Sequence, residues 1–423
     1  MRYKATALGG LLGLLLSPSS SLAQKALEVR TRSAVEARGK AVVAAYADRS
    51  SVAMGLLDVA KAPYLADPSG VRDSSNAIQR AMADARDARL VTYLPAGRYL
   101  VSRTLTCIQG VVTRNRWHLG PANPVIENES YWFPCSLAGA GKSTIVLAGR
   151  SAGFGDPANP KPVLHFWARG ETRDRATGQY NSTAAQPNIS FNQVIRDLAI
   201  SLGDNPGAAV IHHQASQGSA IVDVFIGERG AFAGVLRAPG SGGGIARVSV
   251  TGGRYGLYIS GAQPVPVVSG SEFTGQSEGA IFYVGRGPLT VAGTRIAGSG
   301  IVVEGSRAEP WNGPLSVVDC SIEDPGGKPA IRSTHPVYLS NVWIRNAAEV
   351  ARAGSATPIA GRRGWLQVIE AALDAGLPAP SWAGDQPYPR IRIDGKAVKV
   401  LVVTAPSSSG PPGSLLRVHR WPD

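Results

Sequence analysis

Arg196-Asp-Leu-Ala-Ile200, Val222-Asp-Val-Phe-Ile226, Ala246-Arg-Val-Ser-Val250, Gly270-Ser-Glu-Phe273, Gly293-Thr-Arg-Ile296, Val318-Asp-Cys-Ser-Ile322 and Ser340-Asn-Val-Trp-Ile344 are one short pattern written seven times. Their closing residues follow one another at intervals of 26, 24, 23, 23, 26 and 22 residues. A period in the twenties signals a solenoid, in which each repeat buries its apolar face only against its neighbours. Apolar residues alternate with others inside each copy, which is the pattern of a strand with one buried face. Leu198, Val224, Val248, Val342 and the closing residues are expected to point inward. Cys320 shares that phase and reads as a small buried apolar residue. Two outward rows are expected, one running Asp197, Asp223, Arg247, Gly270, Gly293, Asp319, Asn341. The other runs Ala199, Phe225, Ser249, Glu272, Arg295, Ser321, Trp343.

A second strand lies in the same repeats. It begins near Val210, Val235, Leu257, Ile281, Ile301 and Ile331, after a small residue in most copies (AAVIHH, AGVLRA, YGLYIS, GAIFYV, SGIVVE, PAIRST). Several short strands per coil with glycines at the corners predict an all-β, single-stranded parallel β-helix. A leucine-rich horseshoe would need Leu and Asn at fixed places and a helix per repeat, and the chain has neither.

The 423 residues hold 50 Gly, 30 Pro and 7% aromatics, which suits a turn-rich solenoid. Residues 1–24 read as a secretory signal peptide: Arg2 and Lys4, an apolar run Leu8–Leu16, then Ser21-Leu22-Ala23. That run is too short to span a bilayer, so the expected location is secreted or periplasmic. The formal charge of +13 becomes +11 once Arg2 and Lys4 leave (13 − 2). A basic exported surface suits an anionic polysaccharide or the cell envelope, or is simply a solvated Arg-rich face. No basic run with interleaved aromatics suggests nucleic acid. Cys107 and Cys135 bracket one stretch and can pair in an oxidising compartment. The three cysteines are not clustered, so no metal site is expected from them. Calcium is possible and not favoured, because Asp197 and Asp223 are followed in their row by Arg247.

The expected organisation is a possibly helical segment at 25–60, a β-helix over 61–346 with an irregular insert at 107–192, and a C-terminal cap and tail over 347–423. The cap should contain a helix at Gly364–Ala375 and a hairpin at Arg390–Thr404 turning at Asp394-Gly395. Gly139-Ala-Gly-Lys-Ser-Thr144 imitates a phosphate loop, but Ser136 stands where the motif needs its first glycine. It is read as a corner followed by a strand, and no nucleotide partner is expected. Asn128, Asn181 and Asn188 open formal glycosylation sequons.

Near the start, Ser74 or Ser75 can cap a helix whose Ile78, Met82 and Ala85 share a face, and which covers the open end of the first coil. Asp73-Ser-Ser-Asn-Ala-Ile-Gln79 followed by Leu94-Pro-Ala-Gly-Arg-Tyr99 resembles the opening of the pectate-lyase-like right-handed β-helix superfamily, with one Asp of the usual pair replaced by Ser. That resemblance implies a fold and no substrate. Ile211-His-His-Gln-Ala-Ser-Gln-Gly-Ser219, then Gly240-Ser-Gly-Gly243 and Gly252-Gly-Arg-Tyr-Gly256, are similar to the first β-helix of exo-β-1,3-glucanase (laminarinase) type glycoside hydrolases. The similarity implies that Gln217 or Gln214 helps hold an attacking water. That family's general acid lies in a second β-helix, outside the matching stretch, and is not carried over.

Hydrolysis needs two carboxyl groups on one coil or on coils one or two apart. Asp223 and Asp319, four coils apart, are not such a pair. His212, His213, Arg237, Tyr258, Tyr283 and Glu304 come from successive second strands and are expected to gather on one sheet. A lyase acting on uronate could use His213, Arg237 and Tyr258 as base and carboxylate neutraliser. A hydrolase could use Glu304 as acid with Gln217 placing water, and Trp311 could stack on a sugar. Gln214, Glu272, Arg295 and Tyr283 complete the expected binding residues. The first expectation is an exported glycoside hydrolase. A polysaccharide lyase on an acidic glycan is the second, and a non-catalytic glycan-binding or envelope scaffold the third.

Overall fold

The computed structural model describes residues 32–111, 132–168, 172–173, 180–181, 190–228, 230–260, 266–285, 287–305, 313–373, 392–393, 396–397, 400–407 and 410–411. The segment read as a signal peptide, Trp311, Asn128 and Asn188 lie outside the described residues. Among the described residues no helix is long and apolar enough to cross a membrane.

The chain winds as a single-stranded right-handed parallel β-helix, with three faces to a coil. Val91–Leu94, Gly97–Val101 and Leu105–Val111 make the first coil. Ser136–Gly139, Ser143–Leu147 and Lys161–Ala168 lie on them in parallel and make the second. The stretch expected as an irregular insert thus supplies a whole coil. From the third coil on, the first two faces often run as one bent strand, such as Val194–Leu202, Ala220–Glu228 and Gly244–Gly252, and the third face follows as Ala208–His213, Ala233–Leu236 and Tyr255–Ser260. The ninth coil ends with Val337–Arg345 and Glu349–Ala353.

The bend between the first two faces corrects one expected row. Asp197, Asp223, Arg247, Gly270, Gly293, Asp319 and Asn341 all sit in the left-handed region, with φ from 51 to 57°. The ladder passes over them, pairing Arg196 with Val222 and then Leu198 with Val224. They form a corner and not an outward strand row. Gly, Asn and Asp tolerate this conformation, which accounts for most of the row's composition. The other outward row is in register as expected, from Ala199 through Glu272 and Arg295 to Trp343. Inward, Leu198, Val224, Val248, Phe273, Ile296, Ile322 and Val342 are fully buried, and Cys320 is buried beside them with its thiol pushed up to about 12 by burial.

Helices Arg32–Ala45 and Ser75–Ala88 cover the starting end. Ile78, Ala81, Met82 and Ala85 bury one face of the second helix. Its first turn is held by Asp73, whose Oδ1 accepts the Ser75 N–H at 2.8 Å, while the Ser74 hydroxyl oxygen accepts the N–H of Asp67 and leaves its own helix uncapped. The Gln79 amide clasps the Thr106 backbone at both its N–H and its C=O, tying the helix to the first coil. Cys107 and Cys135 are joined in a disulfide between the first and second coils.

At the other end the helix expected at Gly364–Ala375 is instead the strand Trp365–Leu373, antiparallel to Val337–Arg345. Val400–Ser407 pairs antiparallel with it in turn. The final rung presents unpaired N–H and C=O groups, and antiparallel strands satisfy them where a helix would not. Of the hairpin expected over Arg390–Thr404, Arg392–Ile393 pairs with Lys396–Ala397 beside the turn, whereas the return strand from Val400 on pairs with Trp365–Leu373 instead.

The phosphate-loop look-alike is a coil corner. Ser143–Leu147 is a strand, the Ser143 hydroxyl donates to Leu94 O at 2.6 Å, and a Cβ at Gly139 would lie 2.3 Å from Asp197 O.

Candidate functional site

Register fixes which side chains share the third face. His165, His212, Leu236, Tyr258, Phe282, Val302, Arg332 and Arg352 form its outward row. Phe166 and His213 face inward, as do Ile259, Tyr283, Val303 and Ser333. The small residues before these strands are needed because the chain turns tightly onto the core: a Cβ at Gly256 would lie 2.6 Å from the Phe273 ring.

Two expected site residues are therefore corrected. His213 has no accessible surface, and burial, with a smaller contribution from His165, pushes its imidazole down to about 3. Tyr283 is also fully buried, and its hydroxyl donates to Gly287 O at 3.2 Å. The strand alternates through the pair His212-His213, so only one of the two can face out.

The outward partner is His212. Its ring stacks on His165 of the preceding coil, with centroids 4.5 Å apart and planes 13° apart, and His165 stacks in turn on Trp167 at 5.3 Å. Gln214 Oε1 lies 2.9 Å from His165 Nε2. With the amide oxygen facing the ring, Nε2 carries the proton and Nδ1 keeps the lone pair. Burial lowers the pKa of both histidines, taking His212 to about 2, and the charge of Arg237 adds to the effect on each. Arg237 follows the strand Ala233–Leu236 in a left-handed conformation, and its backbone N–H donates to Tyr258 O at 2.8 Å. Among the described residues no carboxylate pairs with its guanidinium, whose own pKa burial lowers. Consecutive coils thus present two neutral imidazoles, a guanidinium and the Tyr258 phenol.

Glu304 and Gln217 are not brought together. Gln217 is exposed in the turn after Ala208–His213 and accepts the Ser216 hydroxyl, whereas Glu304 follows the strand Ile301–Val303 four coils on, about 19 Å by coil spacing. Glu304 makes an ion pair with Arg332 at 2.7 Å. Glu304 lies one residue past Val303, hence opposite Val284, six positions from Glu278, or about 20 Å of extended backbone. Glu272 and Arg295 stand on the second face and pair with each other at 2.6 Å, and Arg295 also reaches Glu323.

Further along the third face four half-buried rings meet. Tyr258 and Phe282 stack at 5.0 Å with planes 14° apart. Tyr255 lies 5.0 Å from Tyr258 and 5.3 Å from Phe282, and Phe232 lies 5.1 Å from Tyr258. The Arg254 guanidinium sits over Phe232 and Tyr255 at 5.6 and 5.8 Å. Of these residues only Tyr258 was expected in the site from sequence. His165 and Trp167 were hidden in the supposed insert, where the alternation Val-Leu-His-Phe-Trp-Ala carried the signal.

A family model described as Rhamnogalacturonase A/epimerase, pectate lyase-like, matches residues 63–114, the cap helix and first coil, where the opening resembles that superfamily. No curated protein matches the chain. Among solved structures the chain is similar to the iota-carrageenase of family GH82 from A. fortis, at 13% identity and a TM-score of 0.41, covering 66% of this chain and 57% of that one. It therefore spans less than two thirds of that enzyme's length. Similar too are ORF18 of Geobacillus virus E2 (11% identity, TM-score 0.37, 84% and 77% covered) and the Streptococcus pneumoniae surface protein and adhesin PfbA (12%, 0.36, 70% and 86%).

Proposed function

We propose that the protein acts on an anionic polysaccharide by β-elimination at the outward third face. The observation that carries this reading is the row of neutral His165 and His212 beside the Arg237 guanidinium, with the Tyr258 phenol on the next coil. Elimination from a uronate needs a base for the C5 proton and a cation to hold the carboxylate as charge develops on it. Arg237 takes the carboxylate. The His165 imidazole accepts the C5 proton at Nδ1, the C–H electrons become the C4–C5 double bond, and the C4–O bond breaks; His212, lowered to about 2, is too weak a base and stacks against His165. Tyr258 returns a proton to the departing oxygen. Gln214 is a positioning residue, because it fixes which nitrogen of His165 is free. No step is assigned to calcium. The basic balance of the chain favours an anionic polymer.

The test is incubation with polygalacturonate, alginate and a neutral β-1,3-glucan, following reducing ends together with the ultraviolet absorbance of a 4,5-unsaturated uronate. Both signals should rise on a uronate polymer, unchanged by EDTA, and His165→Ala should abolish them. Reducing ends without absorbance would replace elimination by hydrolysis and move attention to Glu304. Silence on all three polymers would remove the elimination reading.

A further inference from the structure

The four rings on the third face lie beyond the histidine–arginine centre and take no part in the proton transfers, Tyr258 excepted. Phe232 precedes the third-face strand of the fourth coil, Tyr255 and Tyr258 belong to the fifth, and Phe282 to the sixth. Four aromatic side chains, each partly open to solvent and linked by centroid contacts of 5.0–5.6 Å that run from Phe232 to Phe282, form a tilted and edge-to-face apolar cluster along the axis of the solenoid. The Arg254 guanidinium lies on the edge of that cluster. Next to it, burial and then the charge of Glu278 raise the Tyr255 phenol, so Tyr255 stays protonated and offers a hydrogen bond at neutral pH.

We infer that Phe232, Tyr255, Tyr258 and Phe282, with Arg254, form an extended binding platform for the sugar residues of an acidic glycan next to the one being cleaved. The inference rests on the elimination reading for its placement and on the rings themselves for its chemistry. An aromatic cluster offers apolar surface to the C–H groups of a pyranose ring, and a guanidinium at its edge supplies the partner for a uronate carboxylate. Each coil advances about 4.8 Å along the axis, comparable to one sugar unit in an extended glycan. A chain laid along the axis with one uronate on Arg237 places its next two residues over the fifth and sixth coils. The site is therefore selective for length. A dimer cannot reach Phe282 while engaging Arg237, and a longer oligomer can. Charge complementarity names the occupant: the same strip carries Arg237 and Arg254 against the one carboxylate of Glu278 beside Tyr255, and Glu304 on its far side is already taken by Arg332 at 2.7 Å.

The experiment is calorimetric titration of the full chain carrying His165→Ala, which by the elimination reading cannot cleave them, with oligogalacturonates of two to six residues and a neutral β-1,3-glucan hexamer as control. It reads binding alone, so a failure of elimination leaves it interpretable. Affinity should climb from dimer to hexamer. Phe282→Ala should weaken the hexamer about tenfold and the dimer less than twofold, as expected for loss of one aromatic anchor. Phe282→Tyr should restore binding, which separates the platform from a folding defect. Arg254→Gln should weaken the acidic hexamer several-fold and leave the neutral control unaffected. Equal losses on dimer and hexamer, or none, would overturn the platform. Equal binding of neutral and acidic hexamers would overturn the anionic assignment. If length-dependent binding persists while no unsaturated product forms on any uronate polymer, the platform stands and the elimination chemistry falls.

Discussion

The outward sides of the second and third faces dispose of charge in opposite ways. On the second face Glu272, Arg295, Glu323, Arg345 and Asp324 form one chain of ion pairs across coils. Each charge there already has its counter-charge from a neighbouring coil. Among the described residues, ion pairs on the third face lie toward the C-terminal end: Arg332–Glu304 across coils and Arg352–Glu349 within one strand. From His165 to Phe282 the same face carries stacked imidazoles, rings and the Arg237 guanidinium, which has no carboxylate partner among the described residues. A stack of coils spaced about 4.8 Å apart brings any outward charge next to its equivalents on neighbouring coils, so self-pairing is the cheap solution for a solenoid surface. A stretch that forgoes it holds polar groups whose partner must come from elsewhere.

Exchanging the same residue type on the two faces is the sharpest way to break that comparison. Arg237→Gln should lower the rate of unsaturated product formation by about a thousandfold, the loss expected when one preorganised cationic partner is removed from developing charge. Arg295→Gln should change the rate less than twofold. Initial rates on one uronate polymer measure both. Comparable losses from the two variants would erase the distinction between the faces.

His213 offers a test one layer in. Its folded-state imidazole stays neutral down to about 3, whereas in the unfolded chain it takes up a proton near 6.5. Below that pH the unfolded state therefore binds a proton that the folded state refuses. The stability contributed above 6.5 is lost as pH falls toward 3, by about 1.4 kcal/mol per pH unit. His213→Leu removes the group and two buried nitrogens without partners. Urea unfolding at pH 7, 5 and 4 should show the variant losing stability less steeply by that slope. Parallel acid limbs would mean that His213 is not held neutral by burial. His212→Leu should flatten the acid limb too, and because His212 faces outward it should alter catalysis as well.

Most of the interior was legible in the sequence, because strand alternation and a fixed period act through burial, and burial is what hydrophobic patterning encodes. Leu198, Val224, Val248 and Cys320 needed nothing more. Three features depended on backbone geometry that residue types only hint at. The Asp197–Asn341 row kept its period but not its direction, since a left-handed residue in each coil turns the chain there; its richness in Asp, Asn and Gly was the available clue. His213 and Tyr283 were read as sharing one sheet with the other candidates, and which of them faces out turns on the strand register, where a shift of one residue exchanges the faces. The strand Trp365–Leu373 carries helix-compatible residues, and only the need to pair the last rung decides it. The site was half legible. Arg237 and Tyr258 lay in recognisable repeats, while His165 entered through a coil whose strands are separated by long connections that hide the period.

The bend row also yields the smallest effect and the finest test of how corner and faces differ. Arg247 and Asp223 both lie in the left-handed region, and Arg247 grips Asp223 through two hydrogen bonds of 2.6 and 2.8 Å. Arg at positive φ costs about 1 kcal/mol, and a partly exposed ion pair returns about 0–1 kcal/mol. Between the last two coils the same corner is built differently: Asn341, also left-handed, donates from Nδ2 to Asp319 Oδ1 at 2.7 Å. Arg247→Asn should reproduce that arrangement against Asp223. It should leave stability within about 0.5 kcal/mol of the parent, because the conformational relief and the lost ion pair nearly cancel. Arg247→Val, β-branched at the same φ and without a polar group, should cost about 2 kcal/mol or more. Urea midpoints of the two variants decide the matter. If Asn is as costly as Val, the ion pair holds the corner; if both are neutral, the bend is set by the faces on either side and the residue at its apex is a passenger.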